Sequence, residues 1–375
     1  MNQKLREVAQ VFFKLGCFAF GGPAAHIAMM EDEIIERRKW MTRDYFLDLI
    51  GTTNLIPGPN STEMTMHCGY ERAGKMGLFV AGIAFIFPAT IITGILAYLY
   101  VEYGQLPELE PFIYGIKPAV LAIIAAAILK LGKKAIKNIE LIIIGLLVLV
   151  ASLLGVNEVF ALLAGGVSGM FYFYAKSKTS TSLKSVSPLL VLLGINTTVT
   201  NVSVLKLFFI FLKVGAILYG SGYVLFAYLD AELVSRGLLT RSELIDAIAI
   251  GQFTPGPVLS TSTFIGYQLS GLSGAIVATA GIFLPSFLFV LILNPFIPKM
   301  RNSKILRGFL DSVNVAAVAV MLAVLFVMAK ETLMEWQSIV IVLLAVFLTF
   351  KTKVSTIWTI IIGAILGFLL LTLSN

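Results

Sequence analysis

The sequence predicts an all-α polytopic membrane protein. Its two homologous six-segment halves have inverted topology, and some helices are broken or re-entrant at Gly/Pro motifs. The apolar composition, an internal repeat and the loop charges lead to this fold class. Of 375 residues, 58% are hydrophobic and 13% are charged, whereas soluble globular proteins carry about 25% charged residues. Residues 76–101 and 247–298 contain no charged residue. Because about 20 apolar residues cross a bilayer, the first stretch forms one span and the second more than one.

Apolar segments follow one another on both sides of a polar stretch at residues 176–182. The segments before it are residues 8–30, 45–66, 76–101, 112–131, 139–154 and 159–175; those after it are residues 204–229, 244–265, 273–297, 309–329, 337–350 and 354–373. The chain therefore divides into a first transmembrane repeat (1–175), a linker (176–203) with room for one extra crossing, and a second transmembrane repeat (204–375).

The second set of segments repeats the first. The clearest matches are the two Pro-Gly-Pro motifs, Pro57-Gly58-Pro59 and Pro255-Gly256-Pro257. The further matched pairs are Lys14 with Lys213, Gly16 with Gly215, Gly21-Gly22 with Gly220-Ser221, Glu33 with Glu232, Arg37 with Arg236, Asp48 with Asp246, Gly69 with Gly266, Gly74 with Gly271, Gly77 with Gly274 and Pro88 with Pro285. A register that holds from Lys14 to Pro88 with only small slips indicates an internal duplication.

The charges of the loops predict opposite orientations for the two halves. The loop at residues 102–110 is acidic and has no Lys or Arg, whereas the matching second-half loop carries four cations between Lys299 and Arg307. After the fourth segment of each half the bias is reversed, with four lysines from Lys130 to Lys137 and a single one, Lys330, in the second half. Short basic loops face the cytoplasm. Either each half has an odd number of crossings, or residues 186–203 cross as well.

The two Pro-Gly-Pro motifs interrupt apolar sequence. Proline lacks the backbone donor that a helix needs, and glycine adopts conformations that other residues avoid. Broken backbone at membrane depth is tolerated where it is buried in protein or lines a cavity. A pair of such breaks at corresponding places in two halves points to the substrate site of a transporter.

Several motifs together resemble the chromate ion transporter family. They are Phe20-Gly21-Gly22-Pro23-Ala24-Ala25-His26-Ile27, Asn54-Leu55-Ile56-Pro57-Gly58-Pro59-Asn60-Ser61-Thr62, Gly251-Gln252-Phe253-Thr254-Pro255-Gly256-Pro257 and Gly281-Ile282-Phe283-Leu284-Pro285-Ser286-Phe287. The resemblance implies a multi-pass secondary transporter of the inner membrane, an antiporter that exports chromate with the proton motive force and confers resistance. The family includes half-length members that act in pairs, and the chain is similar to its fused, two-half form. A homodimer is a separate, open expectation. Ser221 and Gly222 stand where the first half has Gly22 and Pro23, which puts equal substrate contacts by the two halves in doubt.

A dehydrated tetrahedral dianion needs hydrogen-bond donors and positive potential, and the N-terminus of a helix supplies both. The predicted substrate-binding residues are the break glycines, the polar residues that follow each break, and a pair of lysines. They are Lys14, Gly21, Gly22, Gly58, Asn60, Ser61, Thr62, Lys213, Gly220, Ser221, Gly256, Ser260, Thr261 and Ser262. Two alternatives stay open: the Pro-Gly-Pro motifs are only kinks, and the lysines extend to the interface as Lys206 does.

Glu63 and His26 are the candidates for carrying a coupled proton. Glu63 follows the first break and has no acidic counterpart in the second half; pairing with Lys14 or Arg72 is the alternative. His26 has the simpler interpretation of a structural hydrogen-bonding residue. Glu33 with Arg37, and their repeat partners, have the i,i+4 spacing of helical ion pairs.

The sequence contains no pattern typical of an enzyme, a cofactor site or a metal site. Two histidines and two cysteines offer too few ligands for zinc, and a nucleotide-binding GxxxxGK[ST] motif is absent. The net charge of +7 comes from loops between spans, so nucleic acid is not an expected partner. The expected partners are the bilayer and chromate or a sulfate-like oxyanion. A transporter of another anion, and an uncoupled anion channel or sensor, remain alternatives.

Overall fold

The computed structural model describes residues 3–20, 22–53, 56–104, 106, 108–177, 203–219, 222–293, 304–352 and 354–374. The helices are α1 (Gln3–Phe18), α2 (Pro23–Met30), α3 (Arg43–Thr53), α4 (Asn60–Tyr103), α5 (Glu110–Ala135), α6 (Ile139–Leu153), α7 (Glu158–Ser177), α8 (Val204–Ile217), α9 (Leu225–Leu229), α10 (Arg241–Phe253), α11 (Thr261–Leu293), α12 (Lys304–Thr332), α13 (Trp336–Lys351) and α14 (Thr356–Ser374). A π-helical turn follows α2 (Glu31–Arg37) and another follows α9 (Asp230–Val234). The described residues contain no strand.

The protein is an all-α multi-pass membrane protein with two repeated halves. Six of its described helices are long and apolar enough to cross a membrane, namely residues 60–103, 110–135, 158–175, 258–292, 308–332 and 356–373. The shorter helices α6 and α13 are also apolar. Equivalent elements of both halves appear among these helices, as the repeat predicts.

Helices α4 and α11 are hairpins rather than straight rods. Ala73 and Gly74 leave helical geometry inside α4, with Gly74 at a φ of 64°. The chain then folds back, because a Cβ at Gly77 would lie 2.1 Å from the carbonyl oxygen of Gly69. Helix α11 has the same break at Ser270 and Gly271. The glycines of each hairpin therefore let its two arms touch through their backbones.

The arm that follows each Pro-Gly-Pro motif is too short to span a membrane. Residues 60–72 form an arm of roughly 20 Å at 1.5 Å per residue, against about 30 Å of hydrocarbon. The segment predicted at residues 45–66 is accordingly divided between α3 and α4, and the segment at residues 8–30 between α1 and α2. Hydropathy does not detect these divisions, because the residues on both sides of each break are apolar.

Corresponding helices pack in the same way within each half. Helix α1 lies on α4, and Gly16 contacts the backbone of Phe85. Helix α8 lies on α11, and Gly215 contacts the backbone of Ile282. Both glycines allow contact of one backbone with another, so replacing either would separate two helices that form the inner part of their half.

The outer helices of the two halves exchange partners. Helix α5 packs against α13 and α14 of the second half, and α12 packs against α6 and α7 of the first. Small residues make both contacts close: Gly115 touches Gly363 and Gly367, and Ser312 touches Gly169. We call the helices α5–α7 and α12–α14 the scaffold.

Helices α5 and α12 occupy equivalent places in the repeat but run in opposite directions. The hydroxyl of Tyr114, near the start of α5, donates to Glu335 Oε2 at 2.8 Å, just past the end of α12. Lys137, just past the end of α5, donates to Asp311 Oδ1 at 2.6 Å, near the start of α12. The contacts at both ends show that the two helices are antiparallel.

The hairpin of α4 yields a stability prediction. We expect Gly77→Ala to destabilise the protein by about 1–3 kcal/mol, the usual cost of overpacking, because the new Cβ meets the Gly69 carbonyl. Thermal unfolding of the purified protein in detergent measures the effect. Gly51→Ala is the matched control, since no atom lies within 4 Å of a Cβ built there. Equal melting temperatures for the Gly77→Ala variant and the unsubstituted protein would contradict the hairpin contact.

Candidate functional site

The two Pro-Gly-Pro breaks are joined to the opposite halves by matching hydrogen bonds. The amide of Gly58 donates to the carbonyl oxygen of Leu218, at the end of α8, at 2.6 Å. The amide of Gly256 donates to the carbonyl oxygen of Ala19, at the end of α1, at 2.9 Å. Ala19 and Leu218 are equivalent positions of the repeat, because each follows its matched lysine, Lys14 or Lys213, by the same number of residues. Each half thus gives one donor and one acceptor, the pattern of a contact related by a two-fold axis.

Only glycine fits at the centre of each break. The φ of Gly58 is 137° and that of Gly256 is 83°, a region that other residues rarely adopt. A Cβ at Gly58 would also lie 2.2 Å from Glu63 Oε1 and 2.4 Å from Ser286 Oγ. The Gly58 backbone, Glu63 and Ser286 are therefore immediate neighbours, although Ser286 belongs to the opposite half.

His26 connects the first break to the end of α1. Its Nε2 lies 3.1 Å from the carbonyl oxygen of Ala19, and its Nδ1 lies 3.2 Å from Ser61 Oγ. With a proton on Nε2, the ring donates to Ala19 and accepts from Ser61, so one neutral tautomer serves both contacts. The same Ala19 carbonyl accepts from Gly256. These contacts support the structural interpretation of His26.

Four buried side chains around the breaks carry polar atoms that have no hydrogen-bond partner among the described residues. They are Thr62, Glu63, Ser260 and Ser286, and each is fully buried. Buried polar groups are nearly always paired, and an unpaired one costs about 1–3 kcal/mol. Four such groups lie on the segments that form and face the breaks, and two of them, Glu63 and Ser286, lie beside Gly58. This region is therefore the candidate site for a polar ligand. We call the four side chains the unpaired cluster.

The other predicted hydroxyls are buried and already paired. Ser61 bonds His26, Thr261 donates to the carbonyl oxygen of Val258, and Ser262 donates to that of Leu259. Asn60 is half-buried at the start of α4, and Gly22 precedes α2 with a φ of 79°. The predicted site residues Gly21, Gly220 and Ser221 lie outside the described residues.

The structure does not bring the two lysines to the unpaired cluster. The Lys14 side chain is exposed on α1. The Lys213 ammonium lies 2.6 Å from Glu232 Oε1. Arg236 pairs with Glu232 at 2.8 Å, and Arg37 pairs with Glu33 at 3.6 Å. The two i,i+4 ion pairs are confirmed, and one of them also holds Lys213.

Two residues near the unpaired cluster, Ser286 and Tyr219, are not among the site residues predicted from the sequence. Ser286 lies within a motif that resembles the chromate transporter family, directly after Pro285, but far along the chain from either break. Tyr219 precedes the second-half Gly-Ser break and lies within electrostatic range of Glu63. Only the motif around Ser286 was a usable signal. Among the described residues, no group of three His, Cys, Asp or Glu side chains is placed to hold a metal ion.

Comparison with known proteins gives a consistent result over nearly the whole chain. The profile of a family described as Chromate transporter matches residues 6–170 and 205–368. A chromate transport protein of Cupriavidus metallidurans is 31% identical over 369 residues, covering 96% of this chain and 92% of the relative. A probable chromate transport protein of Synechococcus elongatus is 29% identical, covering 97% and 95%. An uncharacterized transporter of Bacillus subtilis is 24% identical, and the match covers 42% of this chain and 91% of that relative. No solved structure matches the chain.

Proposed function

This chain belongs to the chromate transporter family, and from that premise we propose that it is a secondary active transporter that exports a tetrahedral oxyanion, chromate first, across the inner membrane with the proton motive force. The relatives that the chain matches along its length are named as transport proteins rather than enzymes. The observation that carries the proposal is the unpaired cluster at the junction of the two breaks. The junction supplies what a dehydrated oxyanion needs, namely hydroxyl donors that are fully buried.

The N-terminus of α4 supplies the positive potential for such an anion. Its first arm begins at Asn60, directly after the break, and Thr62 lies in its first turn. Backbone N–H groups and the helix dipole make a helix start favourable for negative charge. Hydroxyls at Thr62, Ser260 and Ser286 then have the oxyanion as their acceptor, because they have none among the described residues.

Glu63 links the anion to a proton. Its carboxylate is fully buried and has no hydrogen-bond partner among the described residues. Two negative charges side by side in a dry site repel each other strongly, so the dianion and an ionised Glu63 exclude one another. The protonation state of Glu63 is therefore coupled to anion binding, which gives the proton gradient a means to change the affinity for the anion.

The two halves are proposed to have inverted topology as units 1–175 and 204–375, joined by the linker 176–203. The antiparallel run of α5 and α12 supports this arrangement, because equivalent spans that run in opposite directions imply a two-fold axis in the membrane plane. The loop charges support it independently. The half-length relative from Bacillus subtilis is consistent with a gene duplication.

Flux into proteoliposomes tests the function. Purified protein is reconstituted with an imposed pH gradient or membrane potential, and chromate and sulfate fluxes are followed. Concentrative chromate flux that sulfate inhibits weakly supports a chromate exporter. Equal competition assigns a general oxyanion transporter, and flux that only runs downhill assigns an uncoupled channel. Size-exclusion chromatography with light scattering on the same preparation tests the homodimer.

Glu63→Gln tests the coupling. We expect the variant to lose pH-driven concentrative flux while it retains anion exchange or binding, because glutamine fills the same space but binds no proton. Thr65→Ser is a matched control on the same arm, since the Thr65 hydroxyl donates to the Ser61 carbonyl. Unchanged pH-driven flux in Glu63→Gln would remove Glu63 from the mechanism.

Titration of anion binding tests which groups hold the oxyanion. We expect Ser286→Ala to weaken binding by roughly tenfold or more, since a hydrogen bond to a charged group contributes about 1.5–3 kcal/mol. Ser262→Ala is the matched control, because that hydroxyl is already paired with Leu259. Equal affinities in both variants would contradict a role for the unpaired cluster.

The same titration of anion binding tests the hypothesis that two lysines hold the anion. Lys14→Ala and Lys213→Ala should each lower the affinity by at least about 30-fold if both ammonium groups hold the buried anion, since loss of one partner costs about 2–5 kcal/mol. Lys206→Ala should change little. Wild-type affinity in both variants would leave helix N-termini and hydroxyls as the ligands.

Labelling of single cysteines with an impermeant thiol reagent in cells tests the topology. We expect cysteines at Glu108 and Met334 to react from outside, and cysteines at Lys134 and Asn302 to react only after the membrane is opened. Glu108, Met334 and Lys134 are exposed, whereas Asn302 lies outside the described residues. Labelling of the Glu108 and Asn302 positions from the same side would contradict the inverted arrangement.

A further inference from the structure

The two halves differ sharply at one pair of equivalent helices, α3 and α10. The ion pair of Arg43 with Glu31 corresponds to that of Arg241 with Asp230. The first pair has side chains 67% and 26% exposed, and the second has side chains 19% and 5% exposed. Leu47 on α3 is 52% exposed, while its counterpart Ile245 on α10 is 2% exposed. The preceding short helices differ in the same direction, because α9 contacts α7 and α12 of the scaffold, whereas α2 contacts α4 and the π-helical turn that follows it.

Helix α10 is buried because it is docked on the scaffold. It packs against α5 and α14, whereas α3 packs against α4 and the preceding π-helical turn. Asp246 Oδ2 accepts from the hydroxyl of Tyr100 at 2.7 Å and lies 3.7 Å from Lys117 Nζ. The same ammonium donates to Ser242 Oγ at 2.6 Å. Arg241 extends the contact to Glu331 at the end of α12. We call Asp246, Tyr100, Lys117 and Ser242 the latch.

The sequence does not repeat all the residue types of the latch in the other half. Alignment of Phe112 with Phe309 pairs Lys117 of α5 with Asn314 of α12. Asn314 therefore offers α3 an amide where Lys117 offers α10 an ammonium group. A contact of α3 with α12 would accordingly be weaker than the contact of α10 with α5. This difference in residue type gives a physical reason for one helix of the pair to be docked while the other is not.

Two features of the latch region favour movement of α10 away from the scaffold. The second carboxylate oxygen of Asp246 is buried and has no hydrogen-bond partner among the described residues. This unpaired oxygen lowers the stability of the docked state. An open apolar crevice of about 800 Å³ lies beside Tyr100 and Ile250, between α4, α5 and α10. The unpaired cluster itself is fully buried, so an anion reaches it only when an adjoining element moves.

We propose that α10 is a closed gate held on the scaffold by the latch, that α3 is its open counterpart, and that transport exchanges the two states. The inference rests on the proposed transport function and on the inverted arrangement, which puts the equivalent helices on opposite sides of the membrane. Asp246, Tyr100 and Lys117 are then positioning residues of the transport cycle: they touch no anion but decide which side has access.

Cross-linking tests the gate in a background carrying Cys17→Ser and Cys68→Ala. Lys117→Cys with Ser242→Cys, joined by a reducible bifunctional thiosulfonate, should lower oxyanion flux at least about tenfold, because one of the two states is removed. The reference is the same double variant before cross-linking, and reductant should return the flux to that level. Tyr114→Cys with Glu335→Cys is the matched control, since it joins two scaffold residues on the same face of the molecule. Full flux with the latch cross-linked, or equal loss with the scaffold cross-linked, would overturn the proposal.

A second measurement separates the gate from the transport function, because it needs no flux. Ile245→Cys should be nearly unreactive towards a water-soluble maleimide in the latched protein, and Asp246→Asn or Lys117→Met should raise its labelling rate at least about tenfold, as release of the docked state exposes it. Labelling that rises in a protein without flux would retain the gate and refute the transporter. An unchanged labelling rate in both latch variants would refute the gate.

Discussion

The structure depends on the need to satisfy backbone groups where a helix is broken at membrane depth. No water is available there, so an unpaired N–H costs free energy that only another part of the protein can recover. Gly58 and Gly256 meet this requirement by donating to Leu218 and Ala19 across the two halves. Each half therefore completes the backbone of the other. The breaks fix how the halves associate and, at the same time, collect the starts of two short helical arms in one buried region.

Glycine makes this arrangement possible in two ways. At the breaks it allows a positive φ and leaves room for Glu63 and Ser286 beside Gly58. Within the hairpins, contacts such as that of Gly69 with Gly77 bring two arms together without intervening side chains. Close backbone approach through small residues is the usual means of holding helices together in a membrane, where lipid competes with apolar side chains.

Duplication supplies two similar units, and the proposed coupling and gate rest on the differences between them. The scaffold contacts of α5 with α14 and of α12 with α7 are equivalent, so the framework is close to symmetric. Glu63 occurs in one half only, and so does the Lys117 ammonium group that holds α10. A symmetric protein would have no preferred closed side. In the proposed cycle, single substitutions in one repeat are enough to bias two otherwise equivalent gates, since a population shift needs only a few kcal/mol.

The sequence by itself determined the membrane class, the duplication, the position of both breaks and Glu63 as an acid with no counterpart in the other half. These features are local or periodic: charge-free runs, repeated motifs and Pro-Gly-Pro interruptions are visible wherever they occur. Only the tertiary structure decided that Ser286 faces Gly58, that His26 joins Ala19 to Ser61, that Lys213 is engaged by Glu232 while Lys14 is exposed, and that α10 is docked while α3 is not. The physical reason is that most of these contacts join residues far apart in the chain. Packing of the whole bundle decides which face of a helix contacts which partner. Because a membrane helix has apolar residues on every face, its sequence does not show which face that is.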